Sequence, residues 1–173
     1  IINVDGYPTR CGSLLPYELF KGLQASCVSK LLNAGAIFAG KTVTAEFAVS
    51  DPGETRNPRN LSYTPGGSSS GSAASVAAGF CDIAIGTQTS GSVIRPAGYC
   101  GTIGYKPSFG RISRDGVLLF SNSMDHIGIC AKDLNLLEKT LPLLVNSWSF
   151  WKPKINRNIS IGVPVGSYMN LSK

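Results

Sequence analysis

Histidine is nearly missing from this 173-residue chain, which holds one, at position 126, and two methionines. No Cys-x-x-Cys pair accompanies it, so the ligand set of a zinc site is not assembled anywhere along the sequence. Charged residues make up only 15% of the chain. The formal charge of +6 comes from scattered lysines and arginines, the densest being Lys152, Lys154 and Arg157 beside Pro153. With no basic helix and no aromatic-interleaved basic motif, nucleic-acid binding is not expected. No apolar run approaches the roughly 18–20 residues needed to cross a bilayer. The five cysteines, Cys11, Cys27, Cys81, Cys100 and Cys130, are too sparse for a disulfide scaffold. Cys27 and Cys81, among small or apolar neighbours, read as buried thiols in a reducing, cytoplasmic compartment. The Asn-x-Ser sequons at Asn60, Asn158 and Asn170 matter only in a secreted chain.

What the chain has in abundance is glycine and serine, gathered between Pro65 and Gly101 as PGGSSSGSAASVAAGFCDIAIGTQTSGSVIRPAGYCG. Glycine admits positive φ and close backbone approach. Serine brings hydroxyls that become nucleophiles once a base takes the proton. Ala73–Ala78 reads as a closely packed helix and Asp82–Gly86 as a buried strand. Two hydroxyl-rich loops, Gly66–Ser72 and Ser90–Ser92, are thereby expected to meet at one end of a sheet.

Elsewhere, Ile1–Val4 reads as a strand and Asp5-Gly6 as a turn. Apolar spacing predicts a helix over Tyr17–Asn33, stopped at Gly35. Ala36–Ala39 reads as a buried strand, and helix-strand alternation points to an α/β sheet. Residues Gly35–Thr42, GAIFAGKT, fit the letters of a phosphate-binding loop. A strand should precede such a loop and a helix should follow it. Here a helix precedes and the variable positions are apolar, so Lys41 is read as a lysine at a strand end and no cofactor is called for. Asp51–Thr64 is a surface loop, Thr102–Tyr105 a strand, Asp115-Gly116 a turn, and Val117–Phe120 a brief apolar segment. Ile127–Cys130 reads as a strand and Lys132–Leu144 as a helix disturbed by Pro142. A partial domain over 1–173 follows, with a core at 1–145, a connector at 146–158, and a last segment at 159–173 whose Ile159–Val165 begins another strand.

Three motifs in order, PGGSSSGSAA (Pro65–Ala74), GTQTSGSVIRPAGYCGTIGYKPS (Gly86–Ser108) and RISRDGVLLFSNSMDHIG (Arg111–Gly128), resemble the amidase signature family of serine hydrolases. The resemblance covers Ile1 to about Leu144. It implies an α/β fold with a mixed β-sheet core covered by helices, incomplete here at both ends, and hydrolysis of a carboxamide C–N bond in a small-molecule substrate. By the motif, Ser92 matches the nucleophile and Ser68 the second serine, which follows a cis peptide bond. The backbone N–H groups of Thr89, Ser90, Gly91 and Ser92 match the oxyanion donors. The hydroxyls of Ser68 and Ser92, twenty-four residues apart, are expected within about hydrogen-bond reach of each other.

The family's lysine lies in a Lys-Asp pair just ahead of the strand that here begins at Ile1, and neither Lys41 nor Lys106 takes its place. The expectation is a fragment lacking its general base, from a full-length amidase. An alternative is the amide-hydrolysing subunit of a transfer-RNA amidotransferase, which needs a partner protein; another is an inactive fragment of the same fold. Gln88 and Ile94 stand where the family usually has Asp and Arg, with Arg95 one position later, so the loop between them is expected to be held by neutral hydrogen bonds. Ser90 stands where Gly is common, and a positive φ there would strain its Cβ. Ser69, Ser70 and Ser72 are read as helix caps. His126 is read as structural, and Asp125 as a turn or hydrogen-bonding residue.

Overall fold

In the computed structural model, residues 1–49, 53–149, 160 and 162 are described. Four α-helices, α1 (Ser26–Asn33), α2 (Ser70–Ala77), α3 (Ile94–Cys100) and α4 (Leu134–Leu144), surround three strands, β1 (Ile83–Gln88), β2 (Ile103–Tyr105) and β3 (His126–Ala131). The sheet order is β1-β3-β2. Both pairings are antiparallel, with Gly86 opposite Gly128, Gln88 opposite His126 and Gly104 opposite Cys130. The mixed sheet expected from the sequence is thus, among the described residues, antiparallel throughout.

Successive residues of a strand face opposite ways, and β3 feeds two cores by that rule. Ile127, Ile129 and Ala131 pack with Leu137, Leu141 and Leu144 of α4 and Cys27 and Val28 of α1. Cys130 packs on the other face with Ala73, Ala74 and Val76 of α2 and Val93, Ala97 and Cys100 at α3. On this second face two glycines permit close approach. A Cβ on Gly86 would lie 2.7 Å from Ser69 Oγ, and one on Gly128 3.0 Å from Val93 Cγ2. The two glycines thus leave room for Ser69, just before α2, and for Val93, just before α3.

Several expected elements are reshaped. Ile1–Val4 is not a strand; Ile2 makes an isolated bridge to Val117 and Val4 one to Tyr7. The helix expected over Tyr17–Asn33 splits into a 3₁₀ turn, Tyr17–Phe20, and α1. Between them the chain is drawn to the first residues, with Ala25 N donating to Asn3 O at 2.9 Å. A Cβ at Gly22 would sit 2.5 Å from Asn3 Nδ2. Ala36–Ala39 joins no strand among the described residues, and Ile37 is 94% exposed. β1 and β3 run slightly longer than expected. Pro142 lies inside the last turn of α4 without ending it, and Asp133 caps that helix by accepting from Leu136 N. Asn146 and Ser147, at the start of the expected connector, are held by Arg111, whose Nε donates to Asn146 O and Nη2 to Ser147 O. The rest of that connector and the expected strand Ile159–Val165 fall almost wholly outside the described residues.

Candidate active site

The serines before and within α2 reach outward from the helix rather than capping it. Ser69, at the N-cap, makes no side-chain cap bond. Its Oγ donates to Thr87 O (3.1 Å) and accepts from Thr87 N (3.2 Å). Ser72 Oγ donates to Ile85 O at 2.9 Å, and Ser70 Oγ to Val43 O at 3.4 Å. The capping role expected for Ser69, Ser70 and Ser72 is therefore replaced by stitching of α2 to β1 and to the extended segment at Val43.

Ser68 precedes this turn, and the Gly67–Ser68 peptide is cis. Its carbonyl accepts from Ala45 N (2.9 Å) and Thr44 Oγ1 (2.8 Å). Its side chain is fully buried, and Ser68 Oγ has no hydrogen-bond partner among the described residues. Ser69 N donates to Ser92 O at 3.0 Å, which seats the first serine loop directly on the second. The loops meet as expected, although no hydrogen bond joins the two hydroxyls. Ser92 is 7% exposed.

The second loop leaves β1 at Gln88 and enters α3 at Ile94. Gln88 Oε1 accepts from Val93 N (2.9 Å) and Ile94 N (3.0 Å), and its Nε2 donates to Ser90 O (2.9 Å). These are the neutral hydrogen bonds expected where an ion pair is absent. Arg95, displaced by one position, points instead to the other loop: Nε and Nη2 both donate to Gly67 O, at 3.0 and 2.6 Å. Ser90 is not among the residues with positive φ, so its Cβ carries no left-handed strain. Among the described residues, the backbone N–H groups of Thr89, Ser90, Gly91 and Ser92 donate to no protein acceptor.

Sequence reasoning left one supporting residue with only a general role. Asp125 is 4% exposed, and its Oδ1 accepts from Thr89 Oγ1 at 2.5 Å. Its Oδ2 accepts from Phe120 N (2.6 Å) and Ser121 N (2.9 Å). The carboxylate thus ties the 120–121 turn to the start of the second serine loop, a pairing across thirty-six residues that no local pattern announces. His126 Nδ1 lies 3.3 Å from Gln88 O, with its ring edge-on to Phe109. That is a structural placement.

Neither lysine set aside in the sequence is recruited to this site. Lys106 Nζ donates to Pro107 O. Lys41 Nζ donates to Thr9 Oγ1 at 2.8 Å, and burial lowers its pKa, partly offset by Cys11. The segment around Lys41 follows α1 rather than a strand and opens no α-helix. It therefore does not form a phosphate-binding loop. No helix among the described residues is long and apolar enough to cross a membrane.

The chain is similar to known proteins over most of its length. A family model described as Amidase matches residues 1–161. The A subunit of the Glutamyl-tRNA(Gln) amidotransferase of Salinibacter ruber is 48% identical over 133 residues, 73% of this chain and 26% of that protein. Its counterpart from Syntrophus aciditrophicus is 41% identical over 165 residues, 92% of this chain and 33% of that protein. Among solved structures, the same amidotransferase polypeptide from Thermotoga maritima superposes with a TM-score of 0.77 at 37% identity, covering 84% of this chain and 33% of that one. Native peptide amidase from Stenotrophomonas maltophilia gives 0.75 at 36%, covering 84% and 32%. The chain spans about a third of the length of these proteins. With the family model running from its first residue to position 161 and the fold shared at this level, the chain belongs to the amidase signature family.

Proposed function

We propose that the whole protein hydrolyses a carboxamide through an acyl-enzyme on Ser92, and that it does so as the amide-hydrolysing subunit of a transfer-RNA amidotransferase. One observation carries the chemistry: Ser69 N on Ser92 O brings the buried Ser68 hydroxyl and the Ser92 loop together beside four backbone N–H groups, and among the described residues neither that hydroxyl nor those N–H groups have a protein partner. An amide carbon needs a nucleophile, and a serine hydroxyl holds its proton until a base receives it. In this reading Ser92 Oγ attacks the carbonyl carbon while its proton passes to Ser68 and on to a lysine, which the family resemblance puts ahead of Ile1. The carbonyl oxygen becomes an oxyanion held by the amides of Thr89 to Ser92. Amine is a poor leaving group, so Ser68 returns a proton to nitrogen as the C–N bond breaks. Water then cleaves the Ser92 ester, giving a carboxylic acid and restoring the hydroxyl.

The amidotransferase assignment is supported by the names of the two curated relatives, both of them Glutamyl-tRNA(Gln) amidotransferase polypeptides. Ammonia released at this site would pass to a partner protein that acts on transfer RNA. A stand-alone amidase is the second reading, favoured by the nearly equal match to peptide amidase. Treating the whole protein with a serine-directed phosphonate and mapping the adduct tests the chemistry. Modification at Ser92 is expected, and an adduct on another hydroxyl with Ser92 free overturns it. Affinity purification from the native host separates the two settings: a stoichiometric second polypeptide is expected, and an active, solitary protein favours the stand-alone amidase.

A further inference from the structure

Within the second serine loop, the Gln88 side chain makes three hydrogen bonds that fix which way the loop's peptides face. Gln88 is 3% exposed and its backbone is committed to β1. Its side chain doubles back, taking the N–H groups of Val93 and Ile94 on Oε1 and giving Nε2–H to Ser90 O. In a planar trans peptide the C=O and the following N–H point in opposite directions. With Ser90 O drawn toward Gln88, the N–H of Gly91 must face away from it. Gly91 O is likewise taken by Arg95 N at 2.8 Å, which turns the N–H of Ser92 away from α3. These are two of the four amides that meet no protein acceptor among the described residues.

We propose that Gln88 is a positioning residue for the oxyanion donors: an uncharged clamp whose amide nitrogen sets the Ser90–Gly91 peptide. The proposal rests on the acyl-enzyme reading above. Both ends of the amide are used. The oxygen satisfies two N–H groups at the entry to α3, a role a carboxylate fills equally well. The nitrogen supplies the one donor that a carboxylate lacks. A charged Glu at this position would face the Ser90 carbonyl with a second acceptor, and the peptide would be released to turn over.

The experiment uses the whole protein with Gln88→Leu and Gln88→Glu, reading the phosphonate labelling rate of Ser92 across pH. Loss of an oriented donor typically lowers acylation about 100- to 1000-fold. Gln88→Leu is expected to fall in that range at every pH. Near pH 8 Gln88→Glu is expected to fall as far. As pH drops toward about 5, where a buried Glu takes up its proton and regains an O–H donor, it should recover at least about tenfold relative to wild type. A purely structural glutamine would give no such recovery. Labelling of Gln88→Leu within about threefold of wild type, or a flat Gln88→Glu to wild-type ratio across that range, overturns the clamp. A crystal structure of Gln88→Glu at high pH reads the same point without any activity. A turned Ser90–Gly91 peptide supports the proposal, and an unchanged one overturns it. Wild-type protein unlabelled at Ser92 overturns the hydrolase reading itself, whereas a labelled wild type with indifferent variants overturns the clamp alone.

Discussion

Ser69 N donates to Ser92 O at 3.0 Å, so the turn that begins α2 and the turn that begins α3 are fastened to each other before any side chain reaches across. The same residue reinforces the fastening: Ser69 Oγ both donates to and accepts from the backbone of Thr87. Ser68 on one side of this joint and Ser92 on the other therefore keep their relation through backbone geometry, and the hydroxyls need not hold each other.

Ser69→Ala keeps the backbone bond to Ser92 but strips both partners from the buried Thr87 peptide groups. Unsatisfied buried donors and acceptors cost about 1–3 kcal/mol each. With two groups stranded, the expected outcome is a drop in unfolding free energy of about 2 kcal/mol or more, with slower phosphonate labelling of Ser92. Denaturant titration with labelling kinetics on the same samples checks it, and an unchanged midpoint would show that the Thr87 bonds are replaced by water.

The stretch from α2 through β1 to the second serine loop was legible because its pattern is local: small residues at close spacing, then a short apolar run, then glycine and serine; α3 beyond it, with Pro96 and Gly98 inside, was not read as a helix. The same logic failed where distant chain intervenes. Leu19 and Leu23 repeat at helical spacing yet are 69% and 87% exposed, because Gly22 and Ala25 are held against Asn3 in an extended path. Ala36–Ala39 has the composition of a buried strand, but a strand exists only with a partner, and none pairs with it among the described residues. At the site, the neutral hold on the second serine loop could be inferred from the paired loss of Asp and Arg. Its three partners could not, nor could the reach of Asp125 to Thr89, since both depend on tertiary placement.

Asp125 is the second support of that loop. Asp125→Ala leaves the N–H groups of Phe120 and Ser121 and the Thr89 hydroxyl without their acceptor in a partly buried setting. Three such losses, with water able to reach part of the site, predict destabilisation of about 2–3 kcal/mol. Thr89→Val removes one bond and is expected to cost about 1–2 kcal/mol. Combining Thr89→Val with Asp125→Ala should add little beyond Asp125→Ala, because the two residues share that bond. A double-mutant cycle by urea unfolding measures the coupling, and full additivity would show that the pairing contributes nothing.

Burial pushes the Cys27 thiol up to about 11 and the Cys130 thiol up to about 12, against an ordinary 9.0. The sign follows from proton counting. Between those values the folded chain keeps both protons while the unfolded chain releases them, so unfolding gains as pH rises. Stability from these thiols is whole below about pH 9 and declines above it. Urea midpoints under reducing conditions should fall from about pH 8 to pH 10, and the fall should be smaller in Cys27→Ala and Cys130→Ala. Neither thiol should react with alkylating reagents in the folded protein at neutral pH, because the thiolate is the reactive form.

Gly71 sits in the first turn of α2, where the helix passes closest to the extended segment at Val43. Its N–H donates to Val43 O at 2.9 Å. A Cβ here would lie 2.6 Å from Val43 O, 2.7 Å from Val43 N and 2.8 Å from Thr42 Cβ. Two of these are backbone atoms, which cannot rotate aside as a flexible side chain can. Helix propensity alone would make Gly71→Ala stabilising by about 1 kcal/mol. Overpacking against fixed backbone costs about 1–3 kcal/mol and should dominate, because relief requires moving Val43 and with it the Thr44–Ser68 contact that holds the first serine loop. The expected outcome is a net loss of stability with slower labelling of Ser92. Gly79→Ala, where a Cβ meets nothing within 4 Å but φ is +75°, is the control: its strain lies beyond the end of α2, so it should lower stability without slowing that labelling. If Gly71→Ala were the more stable protein, α2 and the Val43 segment would have room that these distances deny.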